Sequence, residues 1–125
     1  MKEFNRLNEI QAVQKNWEQK LIPEEERTPQ SRFNRMMEEV NELDQAIKGL
    51  DGTLDKNYEA AMELADVFIV GLGVADALGF DIERLIFEKM GVNMVKYNPV
   101  KAQELRSQGL SWQEVMKVMK EQWKK

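Results

Sequence analysis

Four carboxylates are the residues best suited to chemistry in this chain: Glu39 and Glu42, then Glu63 and Asp66. Each pair is spaced i, i+3, so on a helix each pair shares one face. From Ala60 to Ala75 the chain reads AAMELADVFIVGLGVA, and Glu63 and Asp66 are its only charges. Acids on so apolar a helix are expected to be buried or nearly so, and a buried carboxylate is costly unless it is paired or coordinates a metal. No Lys, Arg or His on that stretch can pair with them. The least costly resolution is a divalent cation shared with Glu39 and Glu42 from a neighbouring helix. E-x-x-E on an amphipathic helix, taken alone, commonly marks a solvated face; E-x-x-D inside an apolar helix is harder to dismiss in that way. An all-oxygen cluster suits Mg²⁺, which keeps several waters and bridges carboxylates to substrate phosphates. One ion or two can be held by this many acids.

Composition narrows the chemistry further. The 125-residue chain has neither Cys nor His. A disulfide framework, a thiolate nucleophile, a Cys-based zinc site and a His general base are thereby excluded. A metal must be held by oxygen ligands, so Mg²⁺, Mn²⁺ or Ca²⁺ is expected. A hydrophobic content of 42% gives one domain, residues 1–125, material for a core. The net charge of −4 argues against a protein that coats nucleic acid. The start, Met1-Lys2-Glu3-Phe4, lacks the apolar core of a signal peptide, and the longest apolar run, Val67–Ala75, is too short to span a bilayer. A cytoplasmic protein with no membrane partner is expected.

The elements that must position the acids are helical. Phe4, Leu7, Ile10, Val13, Trp17 and Leu21 recur at helical spacing. After an acidic, Pro-containing linker, Thr28-Pro29 offers an N-cap and a proline for a second helix, striped by Phe33, Met36, Met37, Val40, Leu43 and Ile47. Glu39 falls on the flank of that stripe, Glu42 further round on the same side, and Glu38 roughly opposite. A third helix is expected from near Asp55 or Lys56 to Leu78, stopped by Gly79. A fourth, capped by Asp81, faces Ile82, Leu85, Ile86 and Met90 inward and closes at Tyr97-Asn98-Pro99. Ser111-Trp112-Gln113-Glu114 has the form of a capping box before a last amphipathic helix over 111–123, bearing Val115, Met116, Met119 and Trp123. No alternating strand pattern competes, so the expected fold is an all-α bundle of about five helices. The third helix is apolar nearly all round, which points to a homo-oligomer, dimer or tetramer, that completes the bundle.

E38-E39-V40-N41-E42 followed by E63-L64-A65-D66 resembles the signature of the all-α nucleoside triphosphate pyrophosphohydrolases. These are the MazG-like proteins, with dimeric dUTPases, dCTP pyrophosphatases and phosphoribosyl-ATP pyrophosphohydrolases as relatives. The stretch Lys89-Met90-Gly91-Val92-Asn93-Met94-Val95-Lys96-Tyr97 is similar to a third block of that family, except that Lys96 stands where arginine is more usual, which makes a phosphate contact less bidentate. The resemblance covers roughly residues 34–99. It implies that Glu39, Glu42, Glu63 and Asp66 hold Mg²⁺, that water attacks the α-phosphate of a (d)NTP to give (d)NMP and pyrophosphate, and that Glu38 or Glu39 acts as general base. It also implies assembly as dimers or tetramers.

Lys89, Asn93 and Lys96 are spaced i, i+4, i+7 and share one helical face, which reads as a triphosphate-facing strip or as an ordinary solvated face. Trp17 and Tyr97 are candidates for contact with a base or ribose, and Trp17 also reads as a core residue. Arg32 and Arg35 can reach phosphate or pair with Glu38 and Glu39, and Lys48 and Lys56 are expected in solvent. The expected activity is Mg²⁺-dependent pyrophosphohydrolysis of a nucleoside triphosphate. The alternatives are the same reaction on phosphoribosyl-ATP, or a non-catalytic helical interaction module with adaptable Met-rich surface.

Overall fold

The computed structural model describes residues 6–124, so Phe4 lies outside the described residues. Six α-helices and one 3₁₀ turn follow one another: α1 Leu7–Leu21, the turn Glu24–Glu26, α2 Pro29–Lys48, α3 Leu54–Leu78, α4 Ile82–Lys96, α5 Pro99–Ser107 and α6 Trp112–Trp123. No strand occurs among the described residues. The all-α expectation is met, with one helix more than the five expected. The chain divides between Glu83 and Arg84 into two compact units.

Local chemistry sets the helix ends. Thr28 Oγ1 accepts the Ser31 N–H at 3.1 Å with Pro29 in the first turn of α2. Thr53 Oγ1 caps α3 by accepting from Lys56 N, while Asp51 Oδ1 accepts the N–H and hydroxyl of Thr53 itself. Gly79 ends α3 at φ 83°, the left-handed region that glycine enters without strain. The capping box expected at Ser111 and Glu114 forms in both directions. Asn98-Pro99, read from sequence only as a stop, also starts α5: Asn98 Oδ1 accepts from Val100 N and Lys101 N. Ile82, at the start of α4, gives its N–H to Gln11 Oε1 of α1 at 3.0 Å, so a residue from another helix serves the end where Asp81 was expected as cap.

In the first unit α2 and α3 pack antiparallel along their length, and α1 packs on α3. The face of α1 that is covered is not the expected stripe. Gln11 and Glu18 are buried, whereas Ile10, Val13, Trp17 and Leu21 are exposed, Trp17 by 54%. The polar residues go inside because each has partners there. Gln11 Nε2 donates to Asp76 Oδ1 at 2.8 Å and to the Phe80 carbonyl at 2.9 Å. Glu18 accepts from Arg32 Nη1 and from Gln14 Nε2, each at 3.1 Å. A buried polar side chain satisfied in this way is tolerated, and an apolar one on the other face faces solvent only so long as nothing covers it. Gly73 makes room for the Glu18 carboxylate: a Cβ there would stand 2.7 Å from Oε1.

In the second unit α5 and α6 form a helical hairpin. Leu105, Val115 and Met119 are its buried centre, with Tyr97, Ala102, Leu110 and Val118 packed against them. The loop turns at Gly109, φ 91°. Trp123 is exposed, not inward as its helical spacing predicts.

Candidate metal centre

Glu39, Glu63 and Asp66 each place a carboxylate oxygen so that all three lie within 4.8 Å of one another. Antiparallel packing of α2 on α3 brings them together. Three residues with three different exposures meet here. Glu39 is 4% exposed, Glu63 is half-buried and Asp66 is exposed. Glu63, expected buried or nearly so, is half-buried with one oxygen enclosed, whereas Asp66, expected the same, is exposed. α3 buries Ala60, Leu72, Gly73 and Ala75, and Glu63 and Asp66 on its flank keep contact with solvent.

Arg35 orients the buried acid. Its Nη2 binds Glu39 Oε1 at 2.6 Å and its Nη1 binds Glu38 Oε2 at 2.7 Å. Glu38 is exposed and Arg35 joins it to Glu39 in one chain of contacts. Arg32, also expected near Glu38 and Glu39 or a phosphate, instead pairs with Glu18. One arginine does not neutralise the cluster. Glu39 Oε2 and Glu63 Oε2 are enclosed and have no hydrogen-bond partner. Two anionic oxygens left without donors, beside a third carboxylate, are a donor set that a hard divalent cation fits.

The electrostatics agree. Burial pushes the Glu39 carboxyl above the usual carboxylate range, the neighbouring Glu42 adds to this, and the Arg35 guanidinium opposes it. Burial and the charges of Glu42 and Asp66 push Glu63 up as well. Glu42 is exposed and stands outside the three-oxygen group, but it is close enough to act on both. The sign of the resulting pH dependence follows from linkage. A carboxyl whose folded pKa is raised holds its proton more tightly folded than unfolded, so its contribution to stability is present below the unfolded pKa, about 4.3 for Glu, and is lost as pH rises through the folded pKa. In chelator, the melting temperature is therefore expected to rise as pH falls from neutral to about 4.5, before the acids with lowered pKa, Asp51 and Glu114, begin to work the other way. Saturating Mg²⁺ should erase that rise, because binding needs the deprotonated acids. Melting followed by circular dichroism across this range checks it, and a chelated protein that only loses stability toward acid would contradict the cluster.

Lys89, Asn93 and Lys96 lie on α4 in the second unit, whereas the acids belong to the first. The Lys96 ammonium sits 5.1 Å from the centre of the Tyr97 ring, a cation–π distance. Lys48 and Lys56 are exposed and pair with Asp44 and Glu59. Sequence reasoning missed Gln11, Glu18 and Asp76, polar residues without a motif, Gln11 and Asp76 being paired across 65 positions. Among the described residues no helix is long and apolar enough to cross a membrane. No family model matches the chain, and neither a curated protein nor a solved structure shows a significant match.

Proposed function

We propose that this protein is a divalent-cation-dependent nucleotide pyrophosphohydrolase, cleaving a nucleoside triphosphate between its α and β phosphates. The observation that supports it most is the convergence of Glu39, Glu63 and Asp66 within 4.8 Å, with two enclosed oxygens that lack partners. These three would hold Mg²⁺, or Mn²⁺ in its place, and Glu42 stands ready as a fourth acid. When bound, such an ion offsets charge on phosphoryl oxygens and acidifies a coordinated water.

The chain's own groups supply the rest. Arg35 fixes Glu39 by Oε1 and leaves Oε2 without a partner. Glu38 and Glu39 are the candidates to take a proton from the attacking water, and Glu38 is the one in open solvent contact. The resemblance alone, and no geometry, implies Lys89, Asn93 and Lys96 for phosphate oxygens, Lys89 being exposed.

Purified protein should release pyrophosphate from a panel of triphosphates, phosphoribosyl-ATP included, in Mg²⁺ and stop when the ion is chelated. Cation binding with no release from any member of the panel would leave a structural site and overturn the catalytic reading.

The same proposal includes a second copy of the chain. Val13 and Trp17 on α1, Phe33 and Met37 on α2, and Tyr58 and Phe68 on α3 are all exposed, a quantity of apolar surface uncommon on a monomer. Light scattering should give at least twice the 14.6 kDa chain mass at micromolar concentration. A mass near one chain throughout that range would refute the assembly.

A further inference from the structure

The net charge of −4 hides a division along the chain. Residues 84–125, the second unit, hold nine Lys and Arg against four Asp and Glu, a formal charge of +5, whereas residues 1–83 hold nine against eighteen, or −9. A segment with such an excess of cations is suited to an anionic partner. Its cations are also uncommitted: of those described, only Arg84 makes an ion pair among the described residues, with Glu88.

On α6 the cations are gathered into a row. At about 100° per residue, Gln113, Lys117, Lys120 and Lys124 fall within about 60° of one another, roughly opposite the buried Val115 and Met119. All four are exposed, and Lys124, just past the helix, keeps helical φ and ψ, so the row extends to it. Of the two acids beside the row, Glu114 is committed to the Ser111 N–H at 3.0 Å, which leaves Glu121 alone to oppose three lysines. Lys120 precedes Trp123 by three residues and adjoins it on the helix surface. Trp123, 48% exposed, lines a cavity of about 190 Å³ within the same unit. Lys96, Asn98, Lys101 and Gln122 also line it, with Val95 and Met119, and no acid does.

Lysines and an exposed indole, with no acid among them, restrict the occupant. A helix that lies on a membrane puts its apolar face into lipid; on α6 that face is Val115 and Met119, packed with Leu105 inside the hairpin. An acidic polypeptide matches the lysines but has no flat ring at each step to lay on the indole. A duplex offers phosphates and keeps its base faces stacked within. A single strand offers both a phosphate at each nucleotide and an unpaired base that stacks on an aromatic side chain. We propose that the second unit binds single-stranded nucleic acid, the α6 lysine row and Lys101 taking backbone phosphates and Trp123 stacking a base at the cavity. This binding is independent of the reaction proposed for the acid cluster.

Fluorescence anisotropy of a labelled oligothymidylate of about twelve nucleotides, with the full chain in chelator, tests it. The strand should bind, and the logarithm of its association constant should fall against the logarithm of salt concentration with a slope of about −3, roughly 0.7 for each of Lys101, Lys117, Lys120 and Lys124. Lys101→Gln combined with Lys120→Gln should bring that slope about 1.4 nearer zero. Trp123→Leu, which keeps an apolar side chain, should weaken binding by about tenfold or more with the slope unchanged, and Trp123→Tyr, which keeps an aromatic face, should recover most of the loss. Thymidine monophosphate should bind far more weakly than the strand. No binding of the strand, a slope unmoved by the lysine changes, or an affinity indifferent to Trp123→Leu would overturn the proposal. Equal affinity for a duplex, for polyglutamate or for the mononucleotide would also overturn it, as would capture by phosphatidylglycerol vesicles without binding of the strand.

Discussion

Glu63→Gln is expected to reduce pyrophosphate release by more than about a hundredfold, since changes even one shell out from a metal's ligands cost about 10–100-fold. It should do so while raising the melting temperature measured in chelator. Both effects have one origin. Glu63 lies with Glu39 and Asp66 inside 4.8 Å, and its Oε2 is enclosed without a donor. Burial, and after it the charges of Glu42 and Asp66, push the Glu63 carboxyl up, so without a cation its ionised form is disfavoured. A glutamine removes one charge and brings an NH₂ that can donate to the remaining acids, at nearly constant shape. The same change would take one carboxylate from the set proposed to hold a hard ion. Activity close to wild type would remove Glu63 from the centre, whereas lost activity with lost stability in chelator would make Glu63 a structural residue instead.

Glu18→Ala is expected to be the most damaging single change to stability, by about 3 kcal/mol, the low end of what breaking a buried ion pair costs. The Glu18 side chain is 5% exposed and its Arg32 partner 11%. Removing the acid leaves an enclosed guanidinium without its counter-charge, takes away the acceptor for Gln14 and opens a void against Gly73. Urea unfolding of the variant and of Glu18→Gln separates the terms, because glutamine fills the space and loses only the charge. A Glu18→Ala midpoint within error of wild type would mean that solvent reaches Arg32 freely.

Much of this is legible in the sequence. Helix limits follow from side chains that act on their own backbone: Thr28, Ser111 with Glu114, and Gly79 work at the positions where the sequence places them. The acid cluster was legible because helical spacing and contrast with an apolar surround are both local properties. The inward face of α1 was not legible. Its rule is satisfaction of hydrogen bonds, and Gln11 finds Asp76 and Phe80 more than 60 residues away. Read by hydropathy alone, the face carrying Ile10, Val13 and Trp17 outranks the face carrying Gln11 and Glu18, and the partners that reverse the order leave no mark near either. The same blindness hid α5, since Asn98-Pro99 ends one helix and begins another with the same two residues. The exposure of Asp66 is illegible for a different reason: an apolar helix implies cover somewhere along it, but not on the face that carries a given residue.

Gln11 also bears on the order in which the molecule assembles. The α2–α3 pair is joined by a loop of five residues, 49–53, and its contacts close at small entropic cost. The bonds from Gln11 to Phe80 and Ile82 span 69 and 71 positions and must wait until the intervening chain is compact. Closing loops of that length costs entropy that local contacts avoid, so these bonds are expected to form late. A lesion at Gln11 is then expected to speed unfolding far more than it slows refolding, as the two arms of a urea chevron would show.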